Sequence, residues 1–494
     1  MGLQKIADDW RYQGLFFILI LFLAVFLRTV PFVSYQTFLE PDSYFHGRMV
    51  ATSFQTGSIP AEDTRTYSPM ALQNMPTAYW ELNVFIYKIF WVNYSQENLL
   101  LLMAIFPVLW GCLAVIFIFL AVRKIYGTNP GLVAAFVMAI IPAFVYRTSW
   151  GFFEDDSIIF FLLSLFLYFF VWLIVAKEED FKNTKKVIFY IIAAIISLVL
   201  LHSVWAIGEL LIFVIVIAWG MAILKHMSQK ASFILCIGVI SLALSIFLFV
   251  PTLSGSNAIL VGEEALGYPL FFQFLNVLII FPLIACMAIP FSDKKENPFF
   301  SFFIFLMTIA LLFFAFYKAK YIFLLGLPIA LCAAYVFYNF PKFRIMIAVV
   351  LLVSLSLSAV FIFEQTPSME KYLPAIKTMN DKDCNVFNWW DTGHILTFYT
   401  NCKVWEDNRS YTLEGHKLYA NFVFGIYDCN EIQKYGFTYF FFPKDFVKSQ
   451  DKLKILMAYS DLGEKQRKES LDYSCIEKKF EDDNSLIYKI IDNN

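Results

Sequence analysis

Apolar runs near residues 14–33, 99–122, 130–146, 157–176, 187–201, 204–224, 231–251, 269–291, 298–317, 320–340 and 343–363 fill most of the chain before its last 130 or so residues. A helix crosses the hydrocarbon core of a bilayer with roughly 17–25 apolar residues. That core holds no water, so every backbone N–H and C=O must find its partner within the protein. A chain written this way folds as a polytopic α-helical membrane protein. The run at 187–201 is the marginal one by length. The composition agrees: 59% hydrophobic and only 16% charged residues, against roughly half apolar and a quarter charged for a soluble domain. The first run is too long for a secretory leader and shows no small-residue cleavage site before Pro31, so it is expected to stay as a span.

The basic residues orient the bundle. Lys5 and Arg11 precede the first run, and Arg123/Lys124, Lys182/Lys185/Lys186, Lys225/Lys230, Lys294/Lys295 and Lys342/Arg344 come later, in alternate connections. All share one side if every run spans, and the excess of Lys and Arg marks that side as cytoplasmic. An odd number of spans then puts residues 364–494 outside, with the loops 34–98, 147–156 and 252–268. The expected organisation is a transmembrane domain over 1–363 and an extracytoplasmic domain over 364–494. A net charge of −2 argues against a nucleic-acid partner.

The tail has the pattern of a small α/β domain. A short helix is expected over 368–381, a strand from Cys384 to Asn388, a buried strand over 437–442 stopped by Pro443, a helical stretch at 445–459 and a closing strand from Ser485. Its cysteines, Cys384, Cys402, Cys429 and Cys475, all lie on the oxidising side. They allow two disulfides in three connectivities. The pairing Cys384–Cys402 with Cys429–Cys475 is the preferred expectation, and four reduced thiols the competing one.

Acidic residues stand where acids are costly. Glu40-Pro-Asp42 comes just after the first span, Glu154-Asp155-Asp156 precedes the fourth, and Glu263-Glu264 lies in the loop before the eighth. Carboxylates at the edge of hydrocarbon are usually paired or functional. Any one cluster is equally well read as a helix cap that complements the dipole. Their shared side is what favours convergence on one divalent cation, and an all-oxygen donor set suits Mg²⁺ or Mn²⁺. Arg147 and Lys320 fall on the same side. Such cations commonly snorkel to headgroups, and beside a metal they also suit a lipid pyrophosphate. His46, His202 and His394 stand apart in sequence; His394 adjoins a Trp-Trp-Asp-Thr-Gly run and could line a site there, but an ordinary polar histidine is the preferred reading.

In the tail, residues 388–394 run Asn-Trp-Trp-Asp-Thr-Gly-His. A lone Trp pair is most often core. Two indoles beside an acceptor also make a rigid wall for a small polar group on a peptide. Trp389-Trp390-Asp391-Thr392-Gly393 resembles the Trp-Trp-Asp-x-Gly signature of the catalytic subunit of oligosaccharyltransferase, the enzyme of asparagine-linked glycosylation, single-subunit in archaea and some bacteria. The resemblance takes in the multi-span N-terminal part, the acidic motif after the first span, the second before the fourth, and the outer tail.

It implies a glycosyltransferase C-like bundle with thirteen spans in the family against eleven counted here. By position, Asp42 is similar to the family's first acidic residue, a metal ligand that also meets the acceptor amide. Glu154 and Asp156 are similar to its Asp-x-Asp pair, and Glu263 or Glu264 to the outer-loop glutamate. Val261-Gly-Glu-Glu departs from the family's Thr/Ser-x-x-Glu and leaves both open. Arg147 is similar to a family arginine preceding the acidic pair, and Lys320 sits where the family has an arginine facing the pyrophosphate, giving a point charge in place of a bidentate fork. Asp451-Lys-Leu-Lys-Ile-Leu-Met457 loosely matches its second acceptor motif.

The activity implied is metal-dependent en bloc transfer of an oligosaccharide from a polyprenyl (di)phosphate carrier to the Asn amide of Asn-x-Ser/Thr, by a protein acting as a single subunit. Asp42 and Glu263/Glu264 would activate the amide, while Trp389, Trp390 and Asp391 would read the Ser/Thr hydroxyl. A monosaccharide transferase using polyprenyl phosphate would not need the tryptophan motif. A lipid or glycan transporter would place its charges near the bilayer midplane and show repeat symmetry. The chain carries two sequons itself, Asn93-Tyr-Ser and Asn408-Arg-Ser.

Overall fold

The computed structural model describes residues 10–67, 70–72, 77–175, 184–204, 273–289, 298–317, 319–379, 381, 384–400, 402–407, 409, 412–461 and 474–491. The expected spans at 204–224 and 231–251, Glu263, Glu264 and the Lys320 side chain lie outside what is described. The chain falls into two compact units: Met1–Pro31, Phe106–Trp150 and Asp155–Gln365, and Phe32–Ile105, Gly151–Glu154 and Thr366–Asn494.

The first unit is helical. Among the described residues five helices are long and apolar enough to cross a membrane: Arg11–Thr29, Gln96–Tyr126, Lys185–Val204, Ile322–Asn339 and Pro341–Glu364. The marginal run at 187–201 is thus part of a full-length helix. Burial sorts these helices. The stretch Ile322–Asn339 is 83% buried, whereas Arg11–Thr29, Lys185–Val204 and Pro341–Glu364 are 22–28% buried. The first is central and carries the small residues Gly326, Ala330, Ala333 and Ala334, which let helices approach closely. The others turn Leu, Ile and Phe outward, as a lipid-facing surface does.

Several buried polar groups of this unit find partners within it. The helix Thr128–Ile140 stops before Pro142, whose missing N–H leaves the Met138 carbonyl without its helical donor. Arg28, fully buried, donates to the carbonyls of Met138 (3.3 Å) and Ala139 (3.1 Å), and to Thr148 Oγ1 (2.8 Å). Asn276 bonds Ser358 Oγ and Ser354 Oγ, each at 2.9 Å. Interhelical bonds of this kind hold helices together in lipid, where apolar contact alone gives little net drive.

The second unit is built on a five-stranded sheet. Its strands, numbered after the small antiparallel pair β1 (Glu62–Asp63) and β2 (Met70–Ala71), are β3 (Asn385–Phe387), β4 (Lys403–Val404), β5 (Tyr439–Pro443), β6 (Ile476–Glu481) and β7 (Ser485–Ile490). The order is β4-β3-β5-β7-β6, with β3 parallel to β4 and β5 and the other pairs antiparallel. Pro443 ends β5 as its last residue rather than stopping it. The expected helix over 445–459 is two, Asp445–Lys448 and Gln450–Tyr459. Strand β6, largely charged, is an addition to the expected elements.

Disulfides join Cys384 to Cys402, linking β3 to β4, and Cys429 to Cys475. The aromatic core packs Phe387, Trp389, Tyr419, Phe422 and Phe440 around the sheet.

The stretch 34–98, expected as a loop, is structured. Helices Asp42–Thr56 and Ala78–Phe90 fold within it, and Thr66 extends the sheet beside Val404 in parallel. A buried bidentate pair ties the helix to the hairpin β1–β2: Arg48 Nη1 and Nη2 meet Asp63 Oδ1 and Oδ2 at 2.6 and 2.5 Å. Removing one partner of a buried pair strands a charge, at about 3–5 kcal/mol. Asp63→Ala is therefore expected to lose stability of that order in denaturant unfolding followed by tryptophan fluorescence. The double variant Arg48→Met/Asp63→Ala should lose less. A loss in Asp63→Ala below about 1 kcal/mol, the level of a surface pair, contradicts a structural role.

Candidate active site

Strand β3 delivers the chain into Asn388, and Asn388 sets the path of the chain beyond it. Its buried amide donates to the carbonyls of Trp389 (2.8 Å) and Glu406 (2.9 Å), and its Oδ1 accepts from the Trp405 N–H (3.0 Å). The backbone then turns through a 3₁₀ segment, Trp390–Thr392, into the helix Gly393–Tyr399. At Gly393 a β-carbon would overlap the Glu406 carbonyl oxygen and Asp407. Glycine is needed there for close approach of two chain segments, and its φ of −60° is ordinary.

Within this turn the two tryptophans part company. Trp389 is core, 2% exposed, and packs on Tyr419 and Phe446. Trp390 is partly buried and lies nearly parallel to His416, with ring centroids 6.4 Å apart. His416 is fixed from behind, its Nδ1 2.5 Å from Glu406 Oε2. Asp391 faces Lys452, Oδ2 to Nζ 3.6 Å. Its Oδ1 is buried with no hydrogen-bond partner among the described residues. Burial pushes its pKa above the usual carboxylate value, against the opposing pull of Lys452. Lys452 belongs to the loosely matched segment 451–457, so that segment does meet the tryptophan motif.

Asp42 opens the helix Asp42–Thr56, and four contacts hold that helix and its approach. Glu370 accepts from the backbone N–H of Gln36 and Thr37 (3.1 and 2.7 Å). The Tyr44 hydroxyl accepts from the Phe38 N–H at 2.8 Å. Its ring packs between Phe398 and Tyr399 of the helix after Gly393. Ser43 Oγ accepts from the Phe153 N–H at 2.9 Å, tying the turn after Asp42 to the backbone just before Glu154. Gly151, at φ +80°, passes so close to Phe38 that a side chain would not fit.

Around Asp42 stand residues that sequence distance had separated. Arg409 Nη2 is 3.1 Å from Asp42 Oδ2 and 3.1 Å from His46 Nε2. His394 Nε2 is 3.4 Å from Asp42 Oδ1, and its Nδ1 is 3.2 Å from Asp407 Oδ2. His46 Nδ1 accepts from Trp80 Nε1 at 2.8 Å. Burial, and after it the neighbouring Arg409, holds His46 well below the usual imidazole range. The two histidines read as ordinary polar residues thus both stand at Asp42. Nothing in the local sequence around 46, 394 or 409 announces this.

In the first unit, Arg147 Nη1 lies 3.1 Å from Asp156 Oδ2, which opens its own helix. Among the described residues, no group of three or more His, Cys, Asp and Glu side chains gathers in a way that would hold a metal ion.

Residues 15–374 match the family described as "Oligosaccharyl transferase STT3, N-terminal". No curated protein matches the chain. Among solved structures, the archaeal oligosaccharyltransferase AglB from Archaeoglobus fulgidus, in complex with an inhibitory peptide and a dolichol-phosphate, is 14% identical, with a TM-score of 0.66 over 92% of this chain and 72% of that one. The Archaeoglobus fulgidus oligosaccharyltransferase in complex with Zn and sulfate is also 14% identical, with a TM-score of 0.67 over 90% and 70%. ArnT from Cupriavidus metallidurans is 12% identical, with a TM-score of 0.52 over 96% and 97%. These structures share the fold: a helical membrane bundle with a smaller C-terminal part. The family match covers well over half of the chain, which is a multi-pass membrane glycosyltransferase and belongs to the oligosaccharyltransferase STT3 family.

Proposed function

We propose that this protein transfers an oligosaccharide en bloc from a polyprenyl (di)phosphate carrier to the side-chain amide of Asn in Asn-x-Ser/Thr, at the extracytoplasmic face of the membrane and as a single subunit. The observation that carries this reading is the Asp391 Oδ1, buried beside Trp390 without a donor among the described residues. A buried acceptor left unmade costs about 1–3 kcal/mol. The Ser/Thr hydroxyl of an acceptor peptide supplies the missing donor, and the partly buried Trp390 indole, with Trp389 in the core next to it, shields that bond from water. A site built for a hydroxyl rejects peptides that lack it, because its polar groups then stay unpaired. The complex of AglB with a peptide and a dolichol-phosphate supports both substrate classes.

Amide nitrogen is a poor nucleophile because its lone pair is shared with the carbonyl. Carboxylates that accept both amide N–H bonds, Asp42 and Glu263 or Glu264, weaken that sharing. The nitrogen forms the new bond to the sugar as the sugar–phosphate bond breaks, and the amide proton leaves to a facing carboxylate. Arg147 and Lys320 take the charge of the departing phosphate.

A divalent cation fits the chemistry of these side chains. Asp42, Glu154 and Asp156, with Glu263 or Glu264, offer oxygen donors only, which suit Mn²⁺ or Mg²⁺. The Phe153–Ser43 bond keeps the backbone at Asp42 and Glu154 in register. The relative bound to Zn supports a divalent site. Such an ion would add positive charge beside the leaving phosphate.

Purified protein incubated with a lipid-linked oligosaccharide and a fluorescent Asn-x-Thr peptide should give a glycopeptide. Unmodified peptide, under conditions where the donor is intact, overturns the reading. Asp391→Ala should weaken peptide binding about tenfold or more, the equivalent of 1–3 kcal/mol, and leave donor binding near normal. Equal losses for both would remove Asp391 from acceptor recognition. Transfer should stop in EDTA and return with Mn²⁺ or Mg²⁺. Undiminished transfer in chelator would sink the cation site.

A further inference from the structure

Three residues of the second unit, Arg409, Asp407 and His394, close a ring with Asp42. The Arg409 guanidinium pairs with Asp42 Oδ2 at 3.1 Å. The backbone N–H of Arg409 donates to Asp407 Oδ1 at 2.9 Å. Asp407 Oδ2 lies 3.2 Å from His394 Nδ1, and His394 Nε2 lies 3.4 Å from Asp42 Oδ1. Asp407 and His394 are both buried. Each oxygen of Asp42 therefore faces a residue of the tail.

His46 does not hold Arg409 in this ring. An indole N–H can only donate, so the 2.8 Å bond from Trp80 takes the lone pair on His46 Nδ1. In a neutral ring the proton then sits on Nε2, facing a guanidinium that also only donates. No hydrogen bond forms between two donors. Arg409 is kept there by Asp42 and by the face of Phe45, 4.6 Å below its guanidinium carbon. The Asp42–Arg409 pair is partly buried, at 24% and 22% side-chain exposure, so water screens it less than an open surface pair.

We propose that Arg409 is a positioning residue for glycan transfer: it orients the Asp42 carboxylate from the tail, with Asp407 and His394 completing the frame. This rests on the reading that Asp42 meets the acceptor amide. The consequence is that one close-packed piece of chain does two things. Trp390 and Asp391 select the acceptor, and His394, Asp407 and Arg409 aim the carboxylate that activates it.

A residue that aims Asp42 without touching the peptide changes the rate at saturation and leaves peptide affinity alone. Arg409→Gln is expected to lower kcat about tenfold or more, with the peptide KM within about twofold. Arg409→Lys, which keeps the charge but loses the planar fork, should recover part of that loss. Asp407→Asn should act in the same direction as Arg409→Gln. Wild-type kcat in Arg409→Gln, or a raised KM at unchanged kcat, overturns the proposal.

The pairing is also read without turnover, from Tm in a double-mutant cycle of Asp42→Asn and Arg409→Gln. Coupling predicts that the second substitution costs little once the first is made, and additive Tm losses overturn the proposal. A wild-type protein that fails to transfer would sink the proposed activity, while the cycle would still decide whether Arg409 holds Asp42.

Discussion

The close approach of Gly393 to Glu406 and Asp407 is the contact on which the candidate site depends. Three backbone segments meet there: the end of β3, the turn beyond it, and the strand edge after β4. Asn388 bridges them with its side-chain amide, and the missing β-carbon of Gly393 lets them touch. Beyond that crossing Trp390 meets His416 and Asp391 meets Lys452, while His394 and, from the segment after β4, Arg409 meet Asp42. A single methyl group at 393 would separate these groups without removing any of them. Effects of this kind come from misplacement rather than lost contacts, and reactions that depend on orientation are sensitive to about an ångström.

Around this crossing the structure holds locally unfavourable arrangements. Asp391 keeps a buried oxygen without a donor among the described residues and a pKa raised by burial. His46 turns an N–H toward a cation. Each arrangement is unfavourable by itself and persists because its surroundings are over-determined. The surroundings supply that rigidity: two disulfides, the capping box at Asp428 and Glu431, the Arg48–Asp63 pair and a continuous aromatic core. Natural sequences tolerate such local conflicts at working sites and compensate for them elsewhere.

How much of this is legible in the sequence depends on the range of the interaction. Spans announce themselves through twenty consecutive apolar residues, because lipid imposes the same demand on every turn. The β5 and β7 strands are dense in aromatic and branched residues and are readable within a residue or two. The helix Asp42–Thr56 is not, since its polar Ser, His, Arg and Thr are half hidden against other parts of the unit and give no 3.6-residue stripe. Strand β6, with its Glu-Lys-Lys, pairs at an edge and has little apolar signal. The site divides the same way. Trp389-Trp390-Asp391-Thr392-Gly393 is a local string that inspection finds. The ring at Asp42 joins residues separated by more than 350 positions, and no local pattern encodes such a pairing. His394 lies inside the readable string, yet its partners do not, which is why a lone histidine there looks ordinary.

The buried charges of the two units illustrate one further distinction. Arg28 lies wholly within the helical unit and spends its donors on the Met138 and Ala139 carbonyls and on Thr148. Pro142 creates part of that need by removing a helical N–H, so Arg28 answers a local fault in the backbone. Such a residue, fully buried and bonded mainly to backbone carbonyls, serves the structure. Arg409 differs in kind. Its side chain meets one carboxylate oxygen, an aromatic face and a histidine that cannot accept from it, and it remains partly exposed. Among the described contacts of its guanidinium, Asp42 supplies the opposite charge and Phe45 the aromatic face. A partly exposed charge paired with a carboxylate across 367 positions of sequence, rather than spent on nearby carbonyls, is suited to orienting that carboxylate.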